Sequence, residues 1–273
     1  MHATPSAVMQ ARPFTCHIPD AAIRDLRDRL ARTRWPEPEP VSDWSQGVPL
    51  AYLREICEYW ADGYDWRRFE SQLNSFDQYL VSIGGVDIHF LHAPSRVEGA
   101  RPLILTHGWP GSVVEFLDVI EPLRDPQSFG GDPQDAFHVV VPSLPGYGFS
   151  GKPAQTGWNL QRIADAWVEL MRSLGYHRFF AQGGDWGSMV ATHLGIRHPD
   201  AVAGVHLNLG LCNPEELLQL GTPTEAEQRQ LAKFQQRADW GRLGERLFRA
   251  AAHPAADGRI RPDRLTGRAV CLD

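Results

Sequence analysis

Apolar residues recur at helical spacing in the first third of the chain and at strand spacing in the middle. Ile23, Leu26 and Leu30 mark one face of a helix, with Asp20 placed to cap its N-terminus. Pro36, Pro38 and Pro40 then break the chain, since each fixes φ and removes a donor. A second helix fits Leu50–Asp62, with Leu53, Ile56 and Trp60 on one face, and a third, short one carries Trp66, Phe69 and Leu73. Tyr79–Ile83 and Val86–His92 then flank Gly84-Gly85, a hairpin signal. Further strands are expected at Leu103–Thr106, His138–Val141, Arg178–Gln182 and Val202–Leu207. Between them lie helical patterns, notably Leu160–Leu174 with Ile163, Trp167, Leu170 and Met171 on one face. Strand, helix, strand at this spacing predicts βαβ units. The fold class is α/β, a mostly parallel, doubly wound sheet preceded by a helical N-terminal region. Residues 1–11 read as a disordered N-terminus, Pro214–Phe234 as an amphipathic helix, and 236–273 as Arg-, Ala-, Asp- and Gly-rich sequence with little periodicity.

Composition narrows the chemistry. With 273 residues, 42% hydrophobic and 22% charged, the chain is long enough to bury a large core. A formal net charge of -6 argues against a nucleic-acid partner, which calls for a basic footprint. No apolar run approaches the roughly 18 residues of a membrane span. The first residues lack the basic-then-apolar build of a signal peptide, so the expected location is cytoplasmic. Cys16, Cys57, Cys212 and Cys271 are widely spaced and read as free thiols. There is no metal-ligand constellation, phosphate-binding loop or dinucleotide fingerprint, so neither metal nor cofactor is expected. Trp35, Trp60, Trp66 and Trp167 read as packing residues, His89 and His92 as ordinary strand residues, and Glu37 and Glu39 as a solvated linker. Oligomeric state is left open.

Three motifs carry the chemistry. Gly183-Gly184-Asp185-Trp186-Gly187 follows one predicted strand and precedes a helix over Ser188–Ile196. Small residues two before and two after position 185 give the spacing of a nucleophile elbow. The elbow residue is Asp, and a carboxylate attacks carbon electrophiles with a leaving group, such as an epoxide or a haloalkane, to give an alkyl ester. The plainer alternative is that Asp185 only caps the following helix. His107-Gly108-Trp109-Pro110-Gly111-Ser112 also ends a strand, where such a sheet places half of an oxyanion hole. The Trp109 and Trp186 backbone amides would point at developing negative charge, while His107 reads better as a structural hydrogen-bonding residue than as a base. Pro142-Ser143-Leu144-Pro145-Gly146-Tyr147-Gly148-Phe149-Ser150 ends a third strand and so joins the same rim.

These three motifs, in this order, resemble those of the microsomal-type epoxide hydrolases of the α/β-hydrolase superfamily. The resemblance runs from about Pro13 to about Gln235 and includes RPFTCHIPDAAIRDLRDRLARTRWP and LREICEYWADGYDWRRFESQLNSFDQYL. It implies an epoxide hydrolase N-terminal region over 12–118, a hydrolase core over 101–212 and the start of a cap over 213–235. It also implies that Asp185 is the nucleophile, Trp109 and Trp186 supply the oxyanion-hole amides, and a small-molecule epoxide is the substrate. His107, Trp109, Pro110, Tyr147, Phe149 and Trp186 would surround that substrate.

The family mechanism further uses cap tyrosines to protonate the epoxide oxygen and a late His, oriented by an acid, to activate water. No Tyr follows Tyr176, and His253 is the one histidine after His206. Shifted by one nucleotide, permitted codons for Arg264–Asp273 (RLTGRAVCLD) read DSPAGLCAWI, a stretch like one in the family's cap. A frameshift near 235–245 that replaced the cap and C-terminus is therefore expected, and with it a chain without turnover. Two alternatives stand beside the epoxide hydrolase. One is a haloalkane or haloacid dehalogenase, in which Trp186 would help hold halide but which usually shows Asn where this chain has Trp109. The other is a non-catalytic fragment.

Overall fold

The computed structural model describes residues 11–210, 223–230 and 232–233. The chain divides into two compact units at Leu211 and Cys212. The first holds a seven-stranded mixed sheet in the order β1-β2-β3-β5-β4-β6-β7. Its strands are β1 (Arg12–Phe14), β2 (Gln78–Ile83), β3 (Val86–Ala93), β4 (Arg101–Thr106), β5 (Phe137–Pro142), β6 (Phe179–Gly183) and β7 (Val202–Leu207). β1, β2 and β3 pair antiparallel, as does β3 with β5, and the remaining pairs are parallel. Gly84 and Gly85 make the β2–β3 hairpin as expected, both at positive φ (55° and 79°), which glycine adopts without a Cβ clash.

Helices cover both faces. α5 (Leu160–Ser173) and α6 (Trp186–Arg197) lie on one, where Trp167, Leu170, Met171, Val190 and Leu194 join Ile88, Phe90 and Ile104 in a core cluster. The fully buried Trp167 donates its indole N–H to Thr106 Oγ1 at 3.1 Å, so the apolar ring is buried without stranding its polar atom. α4 (Leu117–Arg124) and α3 (Trp66–Leu73) serve the other face, through Leu117, Ile120 and Leu73 against Leu105, Val139 and Val141. After β5 the chain crosses back past β4 to lay β6 on its other side. The β4 and β6 connections thus diverge, and an open α/β sheet has its ligand crevice at such a point.

The N-terminal region is tied down by polar bonds. Asn74 accepts from the Cys16 amide and donates to the Cys16 carbonyl, each at 2.9 Å. Glu70 accepts from the Ile18 amide at 2.5 Å and from Arg67 at 2.6 Å. α1 (Asp20–Ala31) begins with Asp20 inside its first turn, not as its cap; Pro19 holds the cap position and the Asp20 carboxylate turns to Arg67 instead. α2 (Leu50–Glu58) is shorter than the expected Leu50–Asp62, because Tyr59–Gly63 widens into a π-turn closed by Tyr64 N–H on the Tyr59 carbonyl at 2.9 Å. The Tyr59 ring lies where a Cβ on residue 63 would stand, so Gly63 permits that turn. The expected packing face of α2 stays open: Leu53, Ile56 and Trp60 are 41%, 42% and 40% exposed. Glu39 is no free linker residue, since it accepts from the Leu50 amide at 3.0 Å.

Cys16 and Cys57 are free thiols. Among the described residues no helix is long and apolar enough to cross a membrane. In the second unit, Thr224 and Glu227 form a reciprocal capping box over helical residues 225–230 and 232–233. The expected disorder of 1–11 (all but Ala11), the bulk of the Pro214–Phe234 helix, Cys212, Cys271 and the 236–273 tail lie outside the described residues.

Candidate active site

β4 and β6 are parallel neighbours with Thr106 opposite Gly183, so their C-terminal ends deliver two loops side by side. The loop after β6 turns straight into α6 at Asp185. Among the described residues Asp185 is the one non-glycine at positive φ (49°, with ψ −124°). An L-residue there is strained, and such strain collects at functional turns. The turn has no room for side chains at its corners. A Cβ on Gly183 would run into the Gly187 carbonyl, and one on Gly187 into the Thr106 and His107 carbonyls.

The strained backbone lifts the Asp185 side chain out of the helix-cap role. It makes no capping bond to α6; instead Trp109 N–H, from the β4 loop, donates to Asp185 Oδ1 at 2.7 Å. The Trp186 and Trp109 amides hold the carboxyl below the usual carboxylate range, against a smaller desolvation effect in the other direction. Backbone donors that stabilise a charged oxygen are the working parts of an oxyanion hole. Gly108 makes the approach possible, because a Cβ there would strike the Asp185 side chain.

His107 lies beneath this pair, fully buried. Its Nδ1 pairs with the Gly108 carbonyl and its Nε2 accepts from the Leu144 amide, both at 3.0 Å. Those partners fix the tautomer with the proton on Nδ1, and burial pushes the pKa down, so the ring stays neutral. With both nitrogens occupied, His107 fastens the β4 loop to the β5 loop and is not open to a substrate.

The other expected site residues are spread around these loops. Trp109 and Trp186 are 66% and 49% exposed, large apolar surfaces on the two loops that meet at Asp185. Pro110 is exposed and follows a cis peptide bond. Tyr147 sits edge-on to the His107 ring at 5.5 Å. Phe149 packs instead with Phe14 of β1 and His89 of β3, at 5.1 and 5.2 Å.

Two residues escaped sequence reasoning. His89 has its Nδ1 2.9 Å from Ser143 Oγ and its Nε2 3.1 Å from Gln78 Oε1, fully buried, and so supports the β5 loop from below. Alternation gives a strand there but no hint of partners so far along the chain. Glu115 turns its carboxyl back over Gly111, and the Ser112-x-x-Glu115 spacing of a capping box was its visible signal.

Comparison with known proteins places the chain in a family. The family model "Epoxide hydrolase N terminus" matches residues 11–116, and "alpha/beta hydrolase fold" matches 101–255. A protein named "Putative epoxide hydrolase" from Stigmatella aurantiaca is 56% identical over 223 residues, covering 82% of this chain and 50% of that one. "Epoxide hydrolase 1" of Oryctolagus cuniculus is 40% identical over 204 residues, covering 73% and 45%. The solved structure of Aspergillus niger epoxide hydrolase superposes with a TM-score of 0.68 at 38% identity, covering 81% of this chain and 55% of that one. The chain thus spans about half the length of the relatives it matches. Sheet order, elbow and matched regions together show that it belongs to the α/β-hydrolase family, in the branch that carries the epoxide hydrolase N terminus.

Proposed function

We propose that Asp185 opens epoxides by nucleophilic attack, the first half of the addition of water to give a vicinal diol. The observation that carries this reading is the Trp109 N–H bond to Oδ1 on a carboxylate held at φ 49°. That bond divides the two oxygens. Oδ1 is anchored to the loop, which leaves Oδ2 to attack an epoxide carbon as the C–O bond breaks onto the epoxide oxygen. The new alkoxide takes a proton from an acid or from water. The ester carbonyl then keeps Oδ1 in the amide cradle, where the tetrahedral intermediate of ester hydrolysis would place its negative charge. The exposed Trp109 and Trp186 rings give an apolar, aromatic-bearing epoxide a surface to lie on.

The second half requires a base for water. His107 does not serve, with both nitrogens bonded and its ring buried. By resemblance the base is a late histidine, and His253 lies outside the described residues. On the frameshift expected from the sequence, we extend the proposal to a chain that forms the ester at Asp185 without turning it over. Excess styrene oxide and intact-mass analysis test both halves. One adduct per chain, mapped to Asp185 and absent in Asp185→Asn, with no accumulating diol is the expected result. Sustained diol formation would overturn the arrested second half, and no adduct at all would overturn the nucleophile assignment.

A further inference from the structure

The β4 loop is gripped from two sides by carboxyls. At its start Asp185 packs under Gly108 and accepts from Trp109 N–H. At its end the Glu115 Oε1 occupies the space where residue 111 would carry a Cβ, so a side chain at Gly111 would displace the carboxyl. Burial pushes the pKa of the Glu115 carboxyl up, the nearby Ser112 backbone amide pulls it down, and the charge on Asp185 pushes it up again. Ser112 Oγ in turn accepts from Val114 N–H at 3.3 Å, and Glu115 N–H donates to the Ser112 carbonyl at 3.1 Å. The turn that closes the loop is thus capped by the Ser112 side chain, and its Glu115 carboxyl reaches back over the loop itself.

We propose that Glu115 is a positioning residue for the nucleophile: its carboxyl, folded over Gly111, fixes the Trp109–Ser112 backbone so that Trp109 N–H meets Asp185 Oδ1. The loop segment between the two carboxyls is short and exposed at Trp109 and Pro110, with little packing of its own to hold its shape. Without the Glu115 carboxyl the Gly111 backbone gains room, and the Trp109 amide loses its aim. The effect lies in orientation, so it falls on the rate of ester formation and not on how tightly the epoxide is held.

This inference rests on the proposed attack by Asp185, and the test keeps the two apart. Full-length wild type, Glu115→Ala, Glu115→Asp and Glu115→Gln are compared by rate of styrene oxide adduct formation and by the Trp109 amide resonance in ¹⁵N-labelled protein. Ala, and Asp with its shorter reach, should slow adduct formation by roughly 10- to 100-fold at unchanged half-saturating epoxide. Both should also move the Trp109 amide toward the position it takes in Asp185→Asn. Gln, which keeps the length and the oxygen that lies over Gly111, should restore both readouts to within about threefold of wild type. If Ala fails to fold, Asp against Gln decides. Rates within about twofold of wild type for Ala or Asp, or an unmoved Trp109 amide, would overturn the role of Glu115. If wild type forms no adduct, the attack by Asp185 falls, and the amide resonance alone judges Glu115.

Discussion

Lowering the pH should unfold the protein partly through His89, and the size of that effect follows from its surroundings. The ring is fully buried between Phe14 and Phe149, with Nε2–H donating to Gln78 Oε1 and Nδ1 accepting from Ser143 Oγ. Gln78 Oε1 is fixed as the acceptor because its Nε2 already donates to the Leu73 carbonyl and Asn74 Oδ1. A second proton on Nδ1 would oppose the Ser143 hydroxyl and place a charge in an apolar pocket, so burial lowers the pKa from 6.5 to about 4. The unfolded chain therefore binds more protons than the folded one between those values. Stability is full above about pH 6.5, falls as the pH drops toward 4, and loses no more from this group below that. With 6.5 and 4 as the two values, His89 accounts for about 2 kcal/mol lost between pH 7.5 and pH 5, and about 3 kcal/mol by pH 4. Urea unfolding followed by tryptophan fluorescence at several pH values, for wild type and His89→Gln, isolates this share. The substitution has its own cost at every pH, but that cost cancels when each protein's loss from pH 7.5 to 5 is compared. Equal losses in the two proteins would refute the reasoning.

Three further outcomes are expected. Gly108→Ala places a methyl group against the Asp185 carboxyl, so adduct formation should fall by roughly 100-fold or more, measured by intact mass. Thr106→Val strands the buried Trp167 indole N–H and should cost about 1–3 kcal/mol in urea unfolding, whereas Asp165→Asn, which loosens partly exposed bonds to Arg197 and His198, should cost less than about 1 kcal/mol. Because the Trp186 and Trp109 amides stabilise the Asp185 carboxylate, its attacking form persists as the pH falls. The acid limb of adduct formation should thus lie below the usual carboxylate range, and a limb at or above that range would contradict the amide cradle.

The strands, the glycine hairpin and the elbow were legible because each depends on neighbours in sequence. Two runs flanking Gly84-Gly85 mark β2 and β3, and small residues at fixed offsets from Asp185 mark a turn whose crowding the structure shows atom by atom. What stayed hidden depends on partners far along the chain. Asp20 has the chemistry of a helix cap, yet Arg67 draws it away. His89 reads as one more strand residue until Ser143 and Gln78 close around it. The end of α2 was misplaced because apolar periodicity continues through Trp60 while the backbone widens under the Tyr59 ring.

The pairing of β1 has a consequence for the order of events during synthesis. Arg12 pairs with Leu80 and Phe14 with Gln78, and the outer edge of β2 has β1 as its cover. A ribosome delivers the three residues of β1 long before their partners exist. The β2–β3 hairpin, whose strands are joined by two glycines, can close on its own soon after it emerges. Until Phe14 settles against His89 and Phe149, the finished hairpin presents a bare edge to any other nascent chain. β1 can thus dock only once a hairpin made much later has emerged, and the bonds of Cys16 to Asn74 then hold the neighbouring chain in place, which narrows the chance for a stranger to pair there.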